Sequence, residues 1–489
     1  MATIETSHAP AARATDVERV STLVAAAAAA QEQWWSLGPA GRARVLAQAA
    51  RVARRRADEI ADTIVAETRK PRTEAIANEL YTAVDHASWL AQNAHRILAD
   101  ERVRFSQLHL KTKQAWLLYE PLGVIATITP WNVPFAIPFT QVATALAGGN
   151  AVVLKPSELT PLSGEWVARV FDEAGAPTGL VQVAQGEGPL GEAVVADPGI
   201  SKVLFTGSVA VGRRVAAAAG ARGCPVVLEL GGKDPMVVFA DADLDRAVEG
   251  AVFASFLNAG QACVSAERIF VERSLLDDFS RRLTEAARSL ELGRDVGPLI
   301  SERQRDAVER LSGAPRGDRE GWFIEPTVIR GGLPDEEIFG PVVTVEPFDG
   351  EDDAVRRAND TEFGLAASVW TRDLAKADRV ARRIDAGMVW VNDFGYSFTI
   401  GQAPWGGVKS SGFGRTSSKH GLYGCTQVKY IDRDRGRLRP AWWFPYDPPT
   451  ERALRALLDV LYGSTTERMR SAWKHRRELA HVARRSLGR

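Results

Sequence analysis

Three runs in this chain carry a thiol, a carboxylate and an amide in an order that suits acyl chemistry. The thiol is Cys263, in Asn258-Ala259-Gly260-Gln261-Ala262-Cys263. The acid is Glu229, in Leu228-Glu229-Leu230-Gly231-Gly232-Lys233, and the amide is Asn132, after Pro130-Trp131. A thiolate that attacks a carbonyl needs a donor for the oxyanion and a base to activate the water that releases product. Gly260 and Gln261 interrupt the apolar run before Cys263, which favours a loop thiol over an inert core one. Glu229 lies in a β-like apolar stretch, where an unpartnered acid is costly unless it has a task. Asn132 alone reads as a turn residue; beside the other two it reads as the oxyanion donor.

A Cys-His hydrolase is the competing thiol chemistry. Gln261-Ala262-Cys263 opens like a caspase site, but Val264-Ser265 follows, and no His lies between His109 and His420. The His expected about 50 residues upstream is missing, so that reading is weak.

These residues need a large scaffold, and the chain has one. Its 489 residues imply two or three domains, with 45% hydrophobic and 25% charged residues, ordinary globular usage. Zero formal net charge gives no electrostatic case for nucleic acid. Three widely spaced cysteines, Cys224, Cys263 and Cys425, fit a reducing compartment. The first residues lack a basic and then apolar signal, and no run is long enough to span a bilayer. The chain reads as cytoplasmic, and the sequence calls for no metal.

From Asp16 to about Ala99 the spacing predicts helices, with a break at Lys70-Pro71. Thereafter β-branched runs at 123–129, 151–154, 180–183 and 202–205 alternate with helical patterns, which predicts a mostly parallel sheet flanked by helices. Phe205-Thr206-Gly207-Ser208-Val209-Ala210-Val211-Gly212 follows one strand and opens an Ala-rich helix, a place where backbone N–H groups meet a pyrophosphate. It is not the G-x-G-x-x-G fingerprint. Lys155 and Glu158, in Lys155-Pro156-Ser157-Glu158, are placed to hold a ribose. A carboxylate there repels a 2′-phosphate and favours NAD over NADP.

Over about residues 15–432 the chain resembles the NAD(P)-dependent aldehyde dehydrogenase family. The quoted runs carry that resemblance, together with Glu337-Ile338-Phe339-Gly340-Pro341 and with Pro404-Trp405-Gly406-Gly407-Val408-Lys409-Ser410-Ser411-Gly412, where Trp405 replaces the commoner Phe. The resemblance implies Cys263 as nucleophile, Glu229 as general base and Asn132 as oxyanion amide, helped by the Cys263 backbone N–H. It implies cofactor contacts from Pro130, Trp131, Lys155, Ser157, Glu158, Gly186, Gly207, Ser208, Gly212, Leu230, Glu337 and Phe339. The implied fold is α/β: a Rossmann-like cofactor domain (1–107 and 121–230), a catalytic domain (231–422) and oligomerisation strands (108–120 and 423–432). A homodimer or dimer of dimers is implied, with NAD as cofactor and NADP possible.

The implied reaction turns an aldehyde into a carboxylic acid through a thiohemiacetal and a thioester. A CoA-acylating relative would hand the thioester to CoA, but such enzymes usually lack the acid found here at Glu229. A non-catalytic role would predict an eroded nucleophile, base or loop. Around the expected entrance lie Val133, Phe135, Ala136, Ile137, Phe139, Phe256, Ala262, Val264, Tyr396 and Phe398, with no Arg to pair with a second carboxylate. That favours an apolar aliphatic or aromatic aldehyde over succinate semialdehyde.

Residues 433–489 form a basic, aromatic extension beyond the resemblance. From 431 onward there are 14 Lys plus Arg against 7 Asp plus Glu, an excess of 7, so the rest is net acidic. Leu454, Leu457, Leu458 and Leu461 recur at helical spacing. Packing of Trp442, Trp443, Phe444 and Tyr446 onto this or a partner subunit is the plain expectation. Peripheral contact with an anionic membrane is the alternative.

Overall fold

The computed structural model describes residues 14–107, 110, 112–436, 439–440 and 442–486. It divides into two compact units, one made of residues 1–99 and 119–428 and the other of residues 100–118 and 429–489.

The first unit holds two six-stranded sheets. In one, the neighbours run Gly412–Phe413, Val226–Glu229, Ile200–Thr206, Val124–Ile128, Ala151–Lys155 and Val181–Val183, all parallel except the first. Val124–Ile128 and Ala151–Lys155 are buried at every position, because helices cover both faces of a parallel sheet. The strands expected from the β-branched runs are thus present, within a residue or two. The strand order reverses between Val124–Ile128 and Ile200–Thr206, and a crevice opens beyond the carboxyl ends at such a point. Those ends carry the predicted residues: Asn132 after Ile128, Glu158 after Lys155, Gly207 and Ser208 after Thr206, and Glu229 itself. Ser208 caps the helix Val209–Gly220.

The other sheet is wholly parallel: Thr327–Arg330, Val342–Phe348, Ala266–Glu272, Asp234–Val238, Ala366–Trp370 and Met388–Val391. Cys263 sits in the bend just before Ala266–Glu272. Glu337 and Phe339 lie in the loop between Thr327–Arg330 and Val342–Phe348.

The helices expected between Asp16 and Ala99 are present, from Val20–Ser36 to Tyr81–Ile97. The break at Lys70-Pro71 is more than a break. Beyond it Ala75–Leu80 forms a π-helical turn, a wide turn that often marks a working site. From this segment Glu79, fully buried, accepts the backbone N–H groups of Phe135 and Ala136 at 2.7 and 3.2 Å, at the start of the helix Ala136–Ala147. Lys70 completes the arrangement, its Nζ 2.8 Å from Glu79 and 2.7 Å from the Asn132 carbonyl.

The second unit holds most of a three-stranded sheet, Glu101–Val103, Lys113–Pro121 and Thr426–Asp434 in that order. The expected strand start at Leu108 falls outside the described residues. Three helices follow, Pro448–Tyr462, Thr465–Lys474 and Arg476–Ser486. Their core is Ala453 and Val482 with Leu454 and Leu479 against them. Leu458 and Leu461 face outward, so the four leucines do not form one buried stripe. The small side chains of Ala453 and Ala456 allow the closest helix approach and take that place.

Removing one partner of a buried ion pair leaves the other charge stranded, which costs about 3–5 kcal/mol. Glu79→Ala is therefore expected to lower unfolding free energy by that amount, read as a lower urea midpoint. Glu79→Gln, which keeps an acceptor for the Phe135 and Ala136 N–H groups, should lose less.

Candidate active site

Two cavities meet at the predicted nucleophile. One is a groove of about 840 Å³ lined by Pro130, Trp131, Lys155, Ser157, Glu158, Gly207, Ser208, Leu230, Glu337 and Phe339. The other is a pocket of about 290 Å³ lined by Val133, Ala262, Val264 and the rings of Phe253, Phe394, Tyr396, Phe398 and Trp405. Six residues line both: Asn132, Ile137, Thr206, Glu229, Leu230 and Cys263. The three predicted catalytic side chains are all among those six.

The turn that carries Cys263 is built from unusual backbone. Asn258 and Ala259 adopt left-handed conformations, with φ of 53° and 56°. Gly260 follows at φ 69°, and a Cβ there would lie 2.0 Å from the Gly340 carbonyl oxygen. Only glycine meets both demands. Hydrogen bonds hold the turn: Asn258 Nδ2 donates to the carbonyls of Asn132 at 2.9 Å and Gln261 at 3.0 Å. Asn132 Nδ2 donates to the same Gln261 carbonyl at 3.0 Å. The amide predicted for the oxyanion is thus oriented by the Cys263 loop itself.

Glu229 is buried at the end of its strand, and neither carboxylate oxygen has a hydrogen-bond partner. Desolvation pushes its carboxyl well above the usual range, with Arg415 opposing. Burial also pushes the Cys263 thiol up, and Asp234, Glu229 and Glu337 push the same way. These surroundings favour the neutral thiol over the thiolate.

Gly231 and Gly232 make room at the junction. A Cβ on Gly231 would sit 2.3 Å from Glu337, and one on Gly232 would sit 2.3 Å from the Cys263 carbonyl oxygen. Glu337 accepts the Gly232 N–H at 3.0 Å, and burial beside Glu267 pushes its carboxyl to about 8. The loop that presents Glu337 and Phe339 hangs on Glu267. That acid accepts the Ile338 and Phe339 N–H groups at 2.9 and 3.0 Å and pairs with buried Lys233 at 2.9 Å. Phe339 stands edge-on to Trp131, with centroids 5.5 Å apart.

Along the groove, Lys155 is buried and reaches the exposed Glu158 at 3.1 Å. Gly186 and Gly212 do not line the groove. Gly212 packs under it, where a Cβ would meet Leu230 at 2.4 Å, and Gly188 and Gly191 line the wall near Gly186. In the pocket, Phe135, Ala136, Phe139 and Phe256 are not lining residues. They are buried in the core, with Phe139 stacked on Phe171 and tilted against Phe135. No Arg lines the pocket.

Lys70, Glu74 and Phe253 also line the pocket and were missed by the sequence reading. The signal for the first two was present: charged residues at a helix break, Lys70 in the break itself and Glu74 in the short helix Arg72–Glu74 just beyond it. Glu74 accepts the Asn258 N–H at 2.9 Å through one oxygen, and the other has no partner. Burial pushes its carboxyl up to about 7, with Lys70 opposing and Glu79 adding.

Residues 4–431 match the aldehyde dehydrogenase family. The chain is also similar to solved structures across most of its length. PnpE from Pseudomonas sp. WBC-3 is 31% identical over 88% of this chain and 92% of that one, with a TM-score of 0.83. An aldehyde dehydrogenase from Bacillus cereus, solved with NAD+, is 33% identical over 86% and 90%, with a TM-score of 0.82. Betaine aldehyde dehydrogenase from Staphylococcus aureus, in complex with NAD+, is 32% identical over 88% and 90%, with a TM-score of 0.82.

Glu74 gives the site a stability signature. Its proton is held to about pH 7 in the fold but only to about 4.5 when unfolded. Between those values the unfolded chain binds fewer protons, so stability falls as pH rises and levels off above 7. Glu74→Gln removes this slope while keeping an acceptor for Asn258. The variant is expected to gain on wild type progressively from pH 5 to 7, by at most about 3 kcal/mol. Thermal unfolding at stepped pH reads it; parallel pH curves for the two proteins would contradict it.

Proposed function

The chain belongs to the aldehyde dehydrogenase family, and within it we propose that it oxidises an apolar aliphatic or aromatic aldehyde to the carboxylic acid, with Cys263 as nucleophile. The observation that carries this reading is the junction at Cys263 of a long polar-rimmed groove and a short aromatic pocket.

The groove fits a nicotinamide dinucleotide. It has a buried lysine and a rim carboxylate at one strand end, the N-terminus of Val209–Gly220 at another, and the acid Glu337, one oxygen of which accepts the Gly232 N–H. When bound, NAD(P)+ accepts the hydride. Glu158 at the rim favours NAD, since its charge would repel a 2′-phosphate.

The chain's own residues account for the remaining chemistry. The Cys263 thiol gives up its proton to solvent, and Sγ forms a bond to the aldehyde carbon as the C=O double bond opens to the oxyanion. The free N–H of Asn132 Nδ2 and the Cys263 backbone N–H hold the oxyanion. Loss of hydride re-forms the C=O bond and leaves a thioester. Glu229, with both oxygens unpartnered and a raised proton affinity, takes a proton from water as the water attacks that carbon. The C–S bond breaks, the thiolate is restored and the acid leaves. The pocket's aromatic wall and lack of Arg support an apolar substrate over succinate semialdehyde. The edge strand Thr426–Asp434 turns Tyr430 and Ile431 outward, which supports a dimer at least.

Asn132→Ala is expected to lower kcat by about 10²–10³-fold with little change in thermal stability. Glu229→Gln should give a burst of NADH close to one per site and then stall, because the thioester forms but is not hydrolysed. Wild type should form NADH without CoA, faster with hexanal or benzaldehyde than with succinate semialdehyde. A CoA requirement, or preference for succinate semialdehyde, would overturn the corresponding part of the reading.

A further inference from the structure

The C-terminal helices bury their small residues and expose their large ones. Their core is built from Ala453, Ala456 and Val482, while all six aromatics between Trp442 and Trp473 are exposed. Nine of the 24 large apolar side chains exposed among the described residues fall between Trp442 and Trp473. Tyr446 and Trp473 are 70% and 73% exposed. That is the reverse of what folding alone selects, since the largest apolar areas gain most from burial.

The exposed groups are ordered. On Thr465–Lys474, Met469 and Trp473 lie four apart on one face, beside Arg470 and Lys474. On Pro448–Tyr462, Leu458, Leu461 and Tyr462 form a second outward stripe with Arg455 three residues before it. The turn bearing Trp443, Phe444 and Tyr446 is pinned by Arg485, which donates to the carbonyls of Trp443 and Pro445 and to Asp447 and Thr450. Phe444 and Tyr446 pack against each other within that turn at a tilt of 38°, with centroids 4.6 Å apart. The aromatics are therefore presented by a fixed scaffold.

We infer that this surface docks on an anionic lipid bilayer, with Trp443, Phe444, Tyr446 and Trp473 at the headgroup level and the arginines against lipid phosphate. Charge decides for this occupant. The segment from 431 onward carries 14 basic against 7 acidic residues, so a second copy laid face to face would bring two sets of excess positive charge together. An anionic surface complements the same charge, and aromatic rings with flanking Arg and Lys are the combination that settles at a membrane interface. No helix among the described residues is long and apolar enough to cross a membrane, so the contact is peripheral. The placement keeps the enzyme where an apolar aldehyde concentrates, although the docking itself does not depend on the substrate.

The test is co-sedimentation of the full chain with phosphatidylcholine vesicles, with and without phosphatidylglycerol, at low and high salt. Binding is expected to the anionic vesicles only, and to fall as salt rises. Trp443→Ala/Phe444→Ala/Trp473→Ala should abolish pelleting. Arg470→Gln/Lys474→Gln should weaken partitioning roughly 30-fold, at about fivefold per basic residue. Both should keep wild-type NADH formation and thermal unfolding. No pelleting of wild type with anionic vesicles at low salt, or equal pelleting of the aromatic variant, overturns the inference. So does a fall in oligomeric state on light scattering when the aromatics are removed, because the surface would then cover a second copy.

Discussion

One buried ammonium group ties the site together. Lys70 sits between the Glu79 carboxylate and the Asn132 carbonyl, and Glu79 in turn holds the start of the helix Ala136–Ala147. The Asn132 carbonyl also takes a hydrogen bond from Asn258, and the Asn132 side chain gives one to the Gln261 carbonyl. A chain of contacts thus runs from a π-helical turn, through the segment after Ile128, to the loop that carries Cys263. These side chains are buried, so the geometry is held largely by mutual satisfaction.

A second constraint is space. Gly231, Gly232 and Gly260 lack the Cβ atoms that would collide with Glu337, with the Cys263 carbonyl and with the Gly340 carbonyl. The two sheets supply the parts, and these three glycines let the parts come together. Glu267 then holds the Glu337 loop by its backbone, beside the hydrogen bond that the Glu337 side chain accepts from Gly232.

Much of this was legible in the sequence, and the reasons differ by residue. The parallel strands announced themselves as short β-branched runs, and the crevice residues followed because they sit directly after those runs. Glu229 stood out as an acid in the wrong place for packing, Cys263 as a loop thiol after Gly260 and Gln261, and Asn132 only beside those two. Glu74 and Lys70 were harder, since a helix break at Pro71 hides a turn whose charges point inward. Six of the ten entrance residues line the pocket, and the other four fail for a related reason: Phe135 and Phe139 are close to Asn132 in sequence, but helical rotation carries their rings into the core. The leucines of the extension misled because spacing reveals a stripe without saying which stripe the neighbouring helix takes. There the smaller alanines won.

The meeting of two cavities at one sulfur has a kinetic meaning. A narrow cleft with one mouth would impose an order of arrival, because whichever ligand entered first would block the other. Here the groove and the pocket reach Cys263 along different walls and share only six residues. Under the proposed reaction, the spent cofactor has a way out that does not pass the acyl group. The space it vacates lies beside Glu229, the residue proposed to activate water, and the attacking water could reach the thioester from that side. Departure of one product would then open the way for the water that releases the other.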